Sequence, residues 1–415
     1  MAGKSASVQP EYYGLVIVFV AFGLNILCFG GLALVAVLIK PLAQEFRWQR
    51  GEIAAAYTIA SISIATAGVA FGRISDRYGV RALSALGVIT VSACLLLLSR
   101  VSALWQLYVL YAVFGALGVG AIYIPLTAAV TNWFKGNRGL AVGTATAGAT
   151  IGMGTVPFIA SAIMVDTGWQ DAVAYLGLSY IVVGVPLVLL VRSPQKAEVA
   201  EVSTSENLLQ EETEPISPRE ALAWICTAII FCCVCMAVPQ VHVPALASDL
   251  GLTLERAASV LTVIMFSGAV GRVALGRISD RVGPLNTYIL ASLGQTAFVF
   301  WFTQASSLTS FYIVAAGFGL FSGGVSMSAL LTIRSLVPSR MAGTAIGLVS
   351  FFGWVGMGLG GYLGGYFFDV SGTYVVSFAM GAATGTVNLA ILISFFIRLR
   401  RARWGRLDVG TVQHL

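Results

Sequence analysis

The sequence predicts an all-α integral membrane protein with about twelve transmembrane helices in two pseudo-symmetric six-helix bundles. Of its 415 residues, 58% are hydrophobic and only 10% are charged, whereas about a quarter of the residues of a soluble domain are charged. The octet Gly-Arg-Ile-Ser-Asp-Arg-Tyr-Gly at 72–79 recurs at 276–283 with one substitution, an offset of 204 residues. A repeat at corresponding points of two apolar regions indicates a chain built from two duplicated halves.

The predicted spans have the length that a helix needs to cross a bilayer, roughly 20 mainly apolar residues. The first span is too long for the apolar core of a cleaved signal peptide, so we expect it to remain as helix 1. Six spans lie on each side of one polar stretch. Their approximate bounds are 13–39, 52–72, 82–99, 104–131, 139–163, 172–191, 221–247, 257–276, 285–304, 309–333, 341–368 and 373–397.

The polar stretch between the halves contains seven Glu, together with Ser, Thr, Gln and Pro. It has too few apolar residues to pack, so we expect a flexible acidic linker. The sequence therefore predicts four segments, which are an N-terminal six-helix bundle (1–192), an acidic cytoplasmic linker (193–219), a C-terminal six-helix bundle (220–398) and a basic cytoplasmic tail (399–415).

The distribution of Lys and Arg predicts the orientation in the membrane. With both termini in the cytoplasm, eighteen of the 24 basic residues fall on cytoplasmic segments, five fall on external ones, and Arg272 lies inside helix 8. Because positive charge is retained on the cytoplasmic side, both termini are expected there. The compact loops favour a bacterial inner membrane, with a eukaryotic plasma membrane as the alternative. The net charge of +6 is then topological, and the scattered basic residues offer no face to a nucleic acid.

The sequence offers no arrangement of residues that would carry enzymatic or metal chemistry. Cys232, Cys233 and Cys235 cannot converge on one ion, because adjacent helical residues point about 100° apart. The sequence has no phosphate-cradling Gly-x4-Gly-Lys motif and no His-Glu-x2-His motif. We therefore expect no enzyme, metal or cofactor, and a gradient rather than ATP as the source of energy.

The repeated octets resemble the loops between helices 2 and 3 and between helices 8 and 9 of the major facilitator superfamily. The resemblance covers the whole chain and implies the fold of that superfamily, which needs no second copy to form its pathway, so a monomer is expected. The octets would act as a latch on the cytoplasmic face, in which Asp receives a helix N-terminus or an Arg. The alternative is that their charges only set topology. The latch residues are Gly72, Asp76, Arg77, Gly276, Asp280 and Arg281.

Three further segments resemble the monocarboxylate and oxalate/formate-type porters of that superfamily. They are the helix 4–5 segment 133–143, Tyr13-Gly14 at the start of helix 1, and the glycine-rich segment 361–369 of helix 11. The resemblance implies a secondary active transporter for a small organic monocarboxylate such as lactate or pyruvate, coupled to protons.

Arg272 is the principal candidate for the substrate site. An Arg at membrane depth costs about 2.5 kcal/mol or more, so it normally faces a water-filled cavity or a partner. Its guanidinium is always charged and fits a carboxylate through two hydrogen bonds. No Asp or Glu lies in the middle of a predicted span, so an anionic substrate could supply the missing charge. The alternative is that Arg272 extends to the cytoplasmic surface. In the porters that the sequence resembles, an Arg at the matching position holds the substrate carboxylate.

The resemblance leaves the proton-coupling residue open, because Gly268 stands where those porters carry an Asp. His242 in helix 7 is the best remaining titratable group, since an unperturbed imidazole titrates near pH 6.5. The alternative is a neutral His near the external surface. Pro239 and Pro244 are expected to break helix 7 beside it. Supporting candidates for substrate contact, each as readily a helix-packing residue, are Asn25, Tyr123 and Trp354.

Other hypotheses remain open at the level of sequence. A broad-specificity exporter of amphipathic compounds would use a wide aromatic cavity and would be insensitive to the loss of Arg272. An organic anion exchanger would use the same arginine without protons. A receptor that binds without transport is disfavoured by the two long latch motifs and by the lack of a sizeable soluble signalling domain.

Overall fold

The computed structural model describes residues 12–134, 138–192 and 216–412, and within these ranges it is helical without any strand. The all-α prediction is therefore confirmed. Most of the predicted acidic linker lies outside the described residues, so the bounds of the four segments stay a prediction.

Twelve helices follow one another along the described chain, and they group into two runs of six. The first six are α1 (Tyr12–Ala33, continued by Val35–Phe46), α2 (Arg50–Tyr78), α3 (Val80–Leu98), α4 (Leu104–Val113, a π-helical turn at Phe114–Val119, then Gly120–Trp133), and α5 (138–167) and α6 (169–189), which share the stretch Arg138–Leu189 and are separated at Gly168. The second six are α7 (Pro218–Asp249), α8 (Leu254–Val282), α9 (Pro284–Val299 with a 3-10 turn at Phe300–Gln304), α10 (Leu308–Arg334), α11 (Ser339–Ser371) and α12 (Tyr374–Val412).

Nine helical stretches of the described chain are long and apolar enough by themselves to cross a membrane. Two of the missing spans have a direct explanation, because α5 and α6 form one continuous stretch and α9 has only 16 residues before its 3-10 turn. Together with α2, in which residues 53–70 carry no charge, these segments complete the two sets of six.

The backbone turns show the duplication more clearly than the octets do. Six residues of the described chain have positive φ, and they form three pairs whose members are 204 positions apart. The pairs are Arg47 (φ 57°) with Gly251 (92°), Gly79 (80°) with Gly283 (89°), and Gly168 (84°) with Gly372 (70°). Glycine adopts this conformation at little steric cost, so five of the six positions carry it.

A second repeat fixes how helices pack within each half. The tripeptide Gly-Met-Gly at 152–154 of α5 returns at 356–358 of α11. A Cβ on Gly152 would lie 2.3 Å from the carbonyl oxygen of Ile26 in α1, and a Cβ on Gly356 would lie 2.5 Å from that of Ile230 in α7. Only glycine permits such close approach of two backbones. The pair α1 and α5 is therefore reproduced by α7 and α11.

The two halves meet through equivalent pairs of helices, α2 with α11 and α5 with α8. We call the end of the bundle that carries the repeated octets the octet face, and the opposite end, where α2 begins, the Arg50 face. These two faces differ in how closely the halves approach, and the candidate site lies between them.

Candidate functional site

Arg272 lies in α8 and its side chain is exposed, although it points towards the other half of the molecule. It interacts electrostatically with Tyr123 of α4, across the interface between the halves. None of the ion pairs in the described part of the chain includes Arg272. The structure thus holds a permanently charged, exposed guanidinium near the interface between the halves without a described carboxylate beside it.

Three aromatic side chains form a wall that crosses the interface near this arginine. The ring of Phe29 in α1 meets that of Tyr123 edge-on, with centroids 5.2 Å apart, and is near-parallel to that of Trp354 in α11, with centroids 6.0 Å apart. Phe29 is buried, whereas Tyr123 and Trp354 are partly exposed. We call Phe29, Tyr123 and Trp354 the aromatic wall.

The halves separate towards the octet face. Gly143 in α5 and Gly347 in α11 lie near the octet ends of their helices and are 204 positions apart. Both are exposed, and neither has an atom within 4 Å of the position that a Cβ would take. Gly154 and Gly358, three turns further along the same helices, contact the opposite half. Along α5 and α11, the halves are therefore closer at these positions than at the octet ends.

At the Arg50 face the halves are joined by charged groups. Arg50, at the start of α2, donates hydrogen bonds of 2.5 and 3.0 Å to the carboxylate of Asp249, at the end of α7. The carboxylate of Asp369 in α11 accepts from the backbone N–H groups of Arg50 and Gly51, at 2.9 and 2.6 Å. Lys40 donates to the carbonyl of Ser248 and lies 3.5 Å from Asp249. We call Lys40, Arg50, Asp249 and Asp369 the clamp.

Part of the clamp joins the halves through the N-terminus of α2. The first N–H groups of a helix have no partner within it and carry partial positive charge. For α2, Asp369 of the opposite half supplies the acceptor. The guanidinium of Arg50 also lies over the ring of Phe368, 4.0 Å from its centroid, a favourable cation–π contact.

His242 is fully buried in the second half and is linked to the clamp. One ring nitrogen, Nε2, lies 2.7 Å from the carbonyl oxygen of Gly361, and the other, Nδ1, lies 3.4 Å from the hydroxyl of Tyr374. That hydroxyl also lies 3.1 Å from a guanidinium nitrogen of Arg50. Because a carbonyl only accepts, Nε2 carries the proton, and a neutral imidazole can accept from Tyr374 at Nδ1.

Helix α7 corrects one sequence expectation. Pro239 and Pro244 were expected to break it, but α7 continues as one helix from Pro218 to Asp249. Close packing against α11 supports it, since a Cβ on Gly364 would lie 2.5 Å from the His242 ring. A proline removes one backbone hydrogen bond from a helix, and within a bundle the groups of neighbouring helices can satisfy the carbonyl that is left free.

The candidates from sequence do not all come together. Arg272 lies near Tyr123, and Trp354 is linked to Tyr123 through Phe29, whereas His242 lies in the packing of α7, α11 and α12. Asn25 is buried, and its amide donates to the carbonyl of Ala145 in α5 at 3.0 Å. The structure thus places Asn25 in the contact between α1 and α5 rather than on the cavity.

The structure describes no contact between the halves at the predicted latch. Arg77, Asp280 and Arg281 are exposed, and Gly276 faces open space, whereas the packing of Gly72 and Asp76 lies outside what the structure describes. No hydrogen bond or ion pair described between the halves involves Arg77, Asp280 or Arg281. The latch therefore stays a prediction.

Sequence reasoning missed the clamp and Phe29. In the sequence, Lys40 and Arg50 are two of the five basic residues on external segments, and Asp249 and Asp369 are two of the acids outside the middle of the predicted spans. The sequence could have indicated the clamp. Its two basic residues lie on the connection between the first two spans, its two acidic residues lie near the ends of α7 and α11, and all four fall on the same face of the predicted bundle. Phe29 carries no such signal, because one aromatic residue in an apolar span resembles its neighbours.

Two repeat-related sets of six helices define a polytopic membrane protein, and comparison with known proteins identifies its family. The sequence model of the Major Facilitator Superfamily matches residues 19–360 and 223–411. The chain belongs to the Major Facilitator Superfamily. It is accordingly a multi-pass membrane transporter rather than an enzyme.

The relatives by sequence include a monocarboxylate transporter, an MFS-type transporter and an efflux protein. Monocarboxylate transporter 13 of Rattus norvegicus is 28% identical over 392 residues, which is 92% of this chain and 89% of the relative. An MFS-type transporter of Gibberella moniliformis is 26% identical over 72% of this chain and 71% of the relative. The Agnestins efflux protein AgnL12 of Paecilomyces divaricatus is 23% identical over 80% of this chain and 74% of the relative.

Solved structures match the fold over nearly the whole chain. The nucleoside transporter NupG has a TM-score of 0.74 at 11% identity, covering 92% of this chain and all of NupG. A bacterial homologue of the human lysosomal transporter Spinster, in an inward-facing and unoccupied conformation, has a TM-score of 0.65 at 15% identity, covering 95% of this chain and 98% of that protein. At these identities the likeness concerns the fold alone.

Proposed function

We propose that this chain is a secondary active transporter that moves a small organic monocarboxylate across the membrane by alternating access. The observation that carries the proposal is Arg272, a permanent cation at membrane depth that is exposed to the interior space and has no described carboxylate partner. A substrate carboxylate would supply the missing charge and fit the guanidinium through two hydrogen bonds. The similarity to a monocarboxylate transporter supports the same substrate class.

We place the octet face in the cytoplasm, because most Lys and Arg residues lie on segments at that face. The described conformation is then inward-facing, with the clamp closed on the external side and Arg272 accessible from the cytoplasm. Alternating access requires the reverse arrangement as well, in which the clamp opens and the octets meet.

His242 is the proposed proton-coupling group. The charged and titratable groups around it are Tyr374 of α12, Arg50 of α2, Asp249 of α7 and Asp369 of α11. Protonation would add a donor at Nδ1, so the Tyr374 hydroxyl would have to accept from His242 as well as from Arg50, and a second positive charge would stand near Arg50. Both effects weaken the interactions of Arg50 with Tyr374 and with the rest of the second half, which would favour opening of the clamp.

Uptake into proteoliposomes tests the substrate site. Wild type should accumulate a labelled monocarboxylate under an inward proton gradient. The uptake rate of Arg272→Ala should be at least a hundredfold lower, and Arg272→Lys should retain part of the wild-type rate. Arg256→Ala is the matched control, because Arg256 is an exposed arginine at the other end of α8. Equal uptake by wild type and Arg272→Ala would refute the carboxylate site.

The variant His242→Gln tests the coupling. A glutamine amide can donate to Gly361 and accept from Tyr374, so it imitates the neutral imidazole but does not titrate. It should lower the ratio of proton-driven accumulation to substrate exchange at least tenfold. An unchanged ratio would move the coupling to another group, and exchange without any proton effect in wild type would favour an organic anion exchanger.

A broad-specificity exporter of amphipathic compounds is the second candidate. The aromatic wall and the similarity to a fungal efflux protein favour it. Transport of uncharged aromatic compounds that survives Arg272→Ala would select this function over the first.

A further inference from the structure

The aromatic wall indicates which carboxylates the site prefers. Tyr123 links the wall to Arg272, and Phe29 continues it to Trp354. Tyr123 and Phe29 belong to the first half, whereas Arg272 and Trp354 belong to the second. The charged group and the rings are therefore contributed by both halves, which move relative to each other in alternating access.

A very small acid would use only part of this space. Acetate or lactate on Arg272 would satisfy the guanidinium but would leave the partly exposed face of Trp354 in water. A ligand with an aromatic ring one or two bonds from its carboxylate could reach Arg272 and the wall together. Aromatic rings pack favourably in offset or edge-to-face arrangements, and the partly exposed rings of Tyr123 and Trp354 are available for such contacts.

We propose that the preferred substrates carry one carboxylate and one aromatic ring, as arylalkanoates such as phenylacetate do. This inference rests on the proposed function, because it takes Arg272 as the carboxylate site. A single interior arginine suits one carboxylate, and the wall suits a flat apolar group that contacts both halves. Contact with both halves is what lets a substrate bias their rearrangement.

Binding to the purified full-length protein tests the proposal, with phenylacetate, 3-phenylpropionate, cyclohexylacetate, lactate, pyruvate and the uncharged phenylacetamide as probes. Wild type should bind phenylacetate at least tenfold more tightly than lactate and more tightly than cyclohexylacetate. Trp354→Ala should lower the phenylacetate-to-lactate preference at least tenfold, and Trp354→Phe should restore most of it. Trp105→Ala is the control, because Trp105 is an exposed tryptophan far from the wall, on α4.

The outcomes separate this inference from the proposed function. Lactate binding that needs Arg272 without any preference for the aryl acids would overturn the inference and leave the proposed function intact. Equal binding of phenylacetate and phenylacetamide, unaffected by Arg272→Gln, would overturn both. The inference would also be overturned if Trp354→Ala weakened the binding of lactate and of phenylacetate equally. The same holds if Trp354→Ala does not fold and Trp354→Phe shows no preference for phenylacetate over lactate.

Discussion

Thr58 and Thr262 lie 204 positions apart and make the same hydrogen bond to the opposite half of the molecule. The hydroxyl of Thr58 in α2 donates to the carbonyl of Gly358 in α11, and that of Thr262 in α8 donates to the carbonyl of Gly154 in α5, both at 2.6 Å. The two acceptors are themselves 204 positions apart. The interface is therefore built from two copies of one contact, which relate the halves by their pseudo-symmetry.

This relationship predicts equal effects at two distant positions. Thr58→Val and Thr262→Val should each destabilise the clamp-closed conformation by about 1 kcal/mol, the usual net value of one hydrogen bond. The two effects should add in the double variant, because the sites share no partner. Thermal unfolding of the detergent-solubilised protein measures the change. Thr66→Val is the control, since its hydroxyl bonds only within α2, and effects no larger than the control would contradict the prediction.

The clamp predicts a shift between conformations. Asp249→Asn removes the charged partner of Arg50 and Lys40 at a partly exposed site, and should cost the closed Arg50 face about 1–2 kcal/mol, roughly a tenfold change in the ratio of conformations. Spin labels at Ser102 and Ser306, exposed residues on the Arg50 face that are 204 positions apart, measure the distance between the two halves at that face. The six native cysteines are all buried, so labels should react at the introduced positions.

Glu255→Gln is the control for the clamp, because Glu255 is an exposed acid at the same face. The double variant Arg50→Gln with Asp249→Asn should shift the distances less than the sum of the single variants, since both remove the same pair. Additive shifts would show that Arg50 and Asp249 act separately.

A glycine of α11 should limit closure of the same face. A Cβ on Gly365 would lie 2.5 Å from the Cα of Gly51 in α2, a backbone contact that only separation of the helices can relieve. Gly365→Ala should therefore open the Arg50 face and lower transport at least tenfold. Gly353→Ala is a control on the same helix, because its Cβ would make ordinary contacts of 3.6 and 3.7 Å. Unchanged label distances in Gly365→Ala would refute close packing at this point.

The sequence predicts the fold well because bilayer-length apolar segments and a near-identical octet are strong signals. It singles out Arg272 because a charge inside a span is anomalous, and the structure brings Tyr123 near it, but the substrate role of these residues stays a prediction. Asn25 shows the limit of this reasoning, because a polar residue in a span can satisfy its amide against a neighbouring helix, and only packing decides which occurs. The clamp shows another limit, because its four charges lie at helix ends that are distant in sequence.

The octet latch predicts a shift of opposite sign to that of the clamp. Asp280 is exposed here, and no described bond to the other half involves it, so Asp280→Asn should leave the described conformation unaffected. If the latch forms when the octet face closes, the variant destabilises only that other conformation and the octet face should stay open more often. Spin labels at Ala82 and Asn286, exposed residues 204 positions apart beside the octets, should then show a larger long-distance population. If the octet charges act only in topology, Asp280→Asn would leave this distance unchanged. It would not invert the helices either, because the loss of an acid makes the cytoplasmic loop more positive, and labelling of the introduced cysteines from each side of the membrane checks that the orientation is the same.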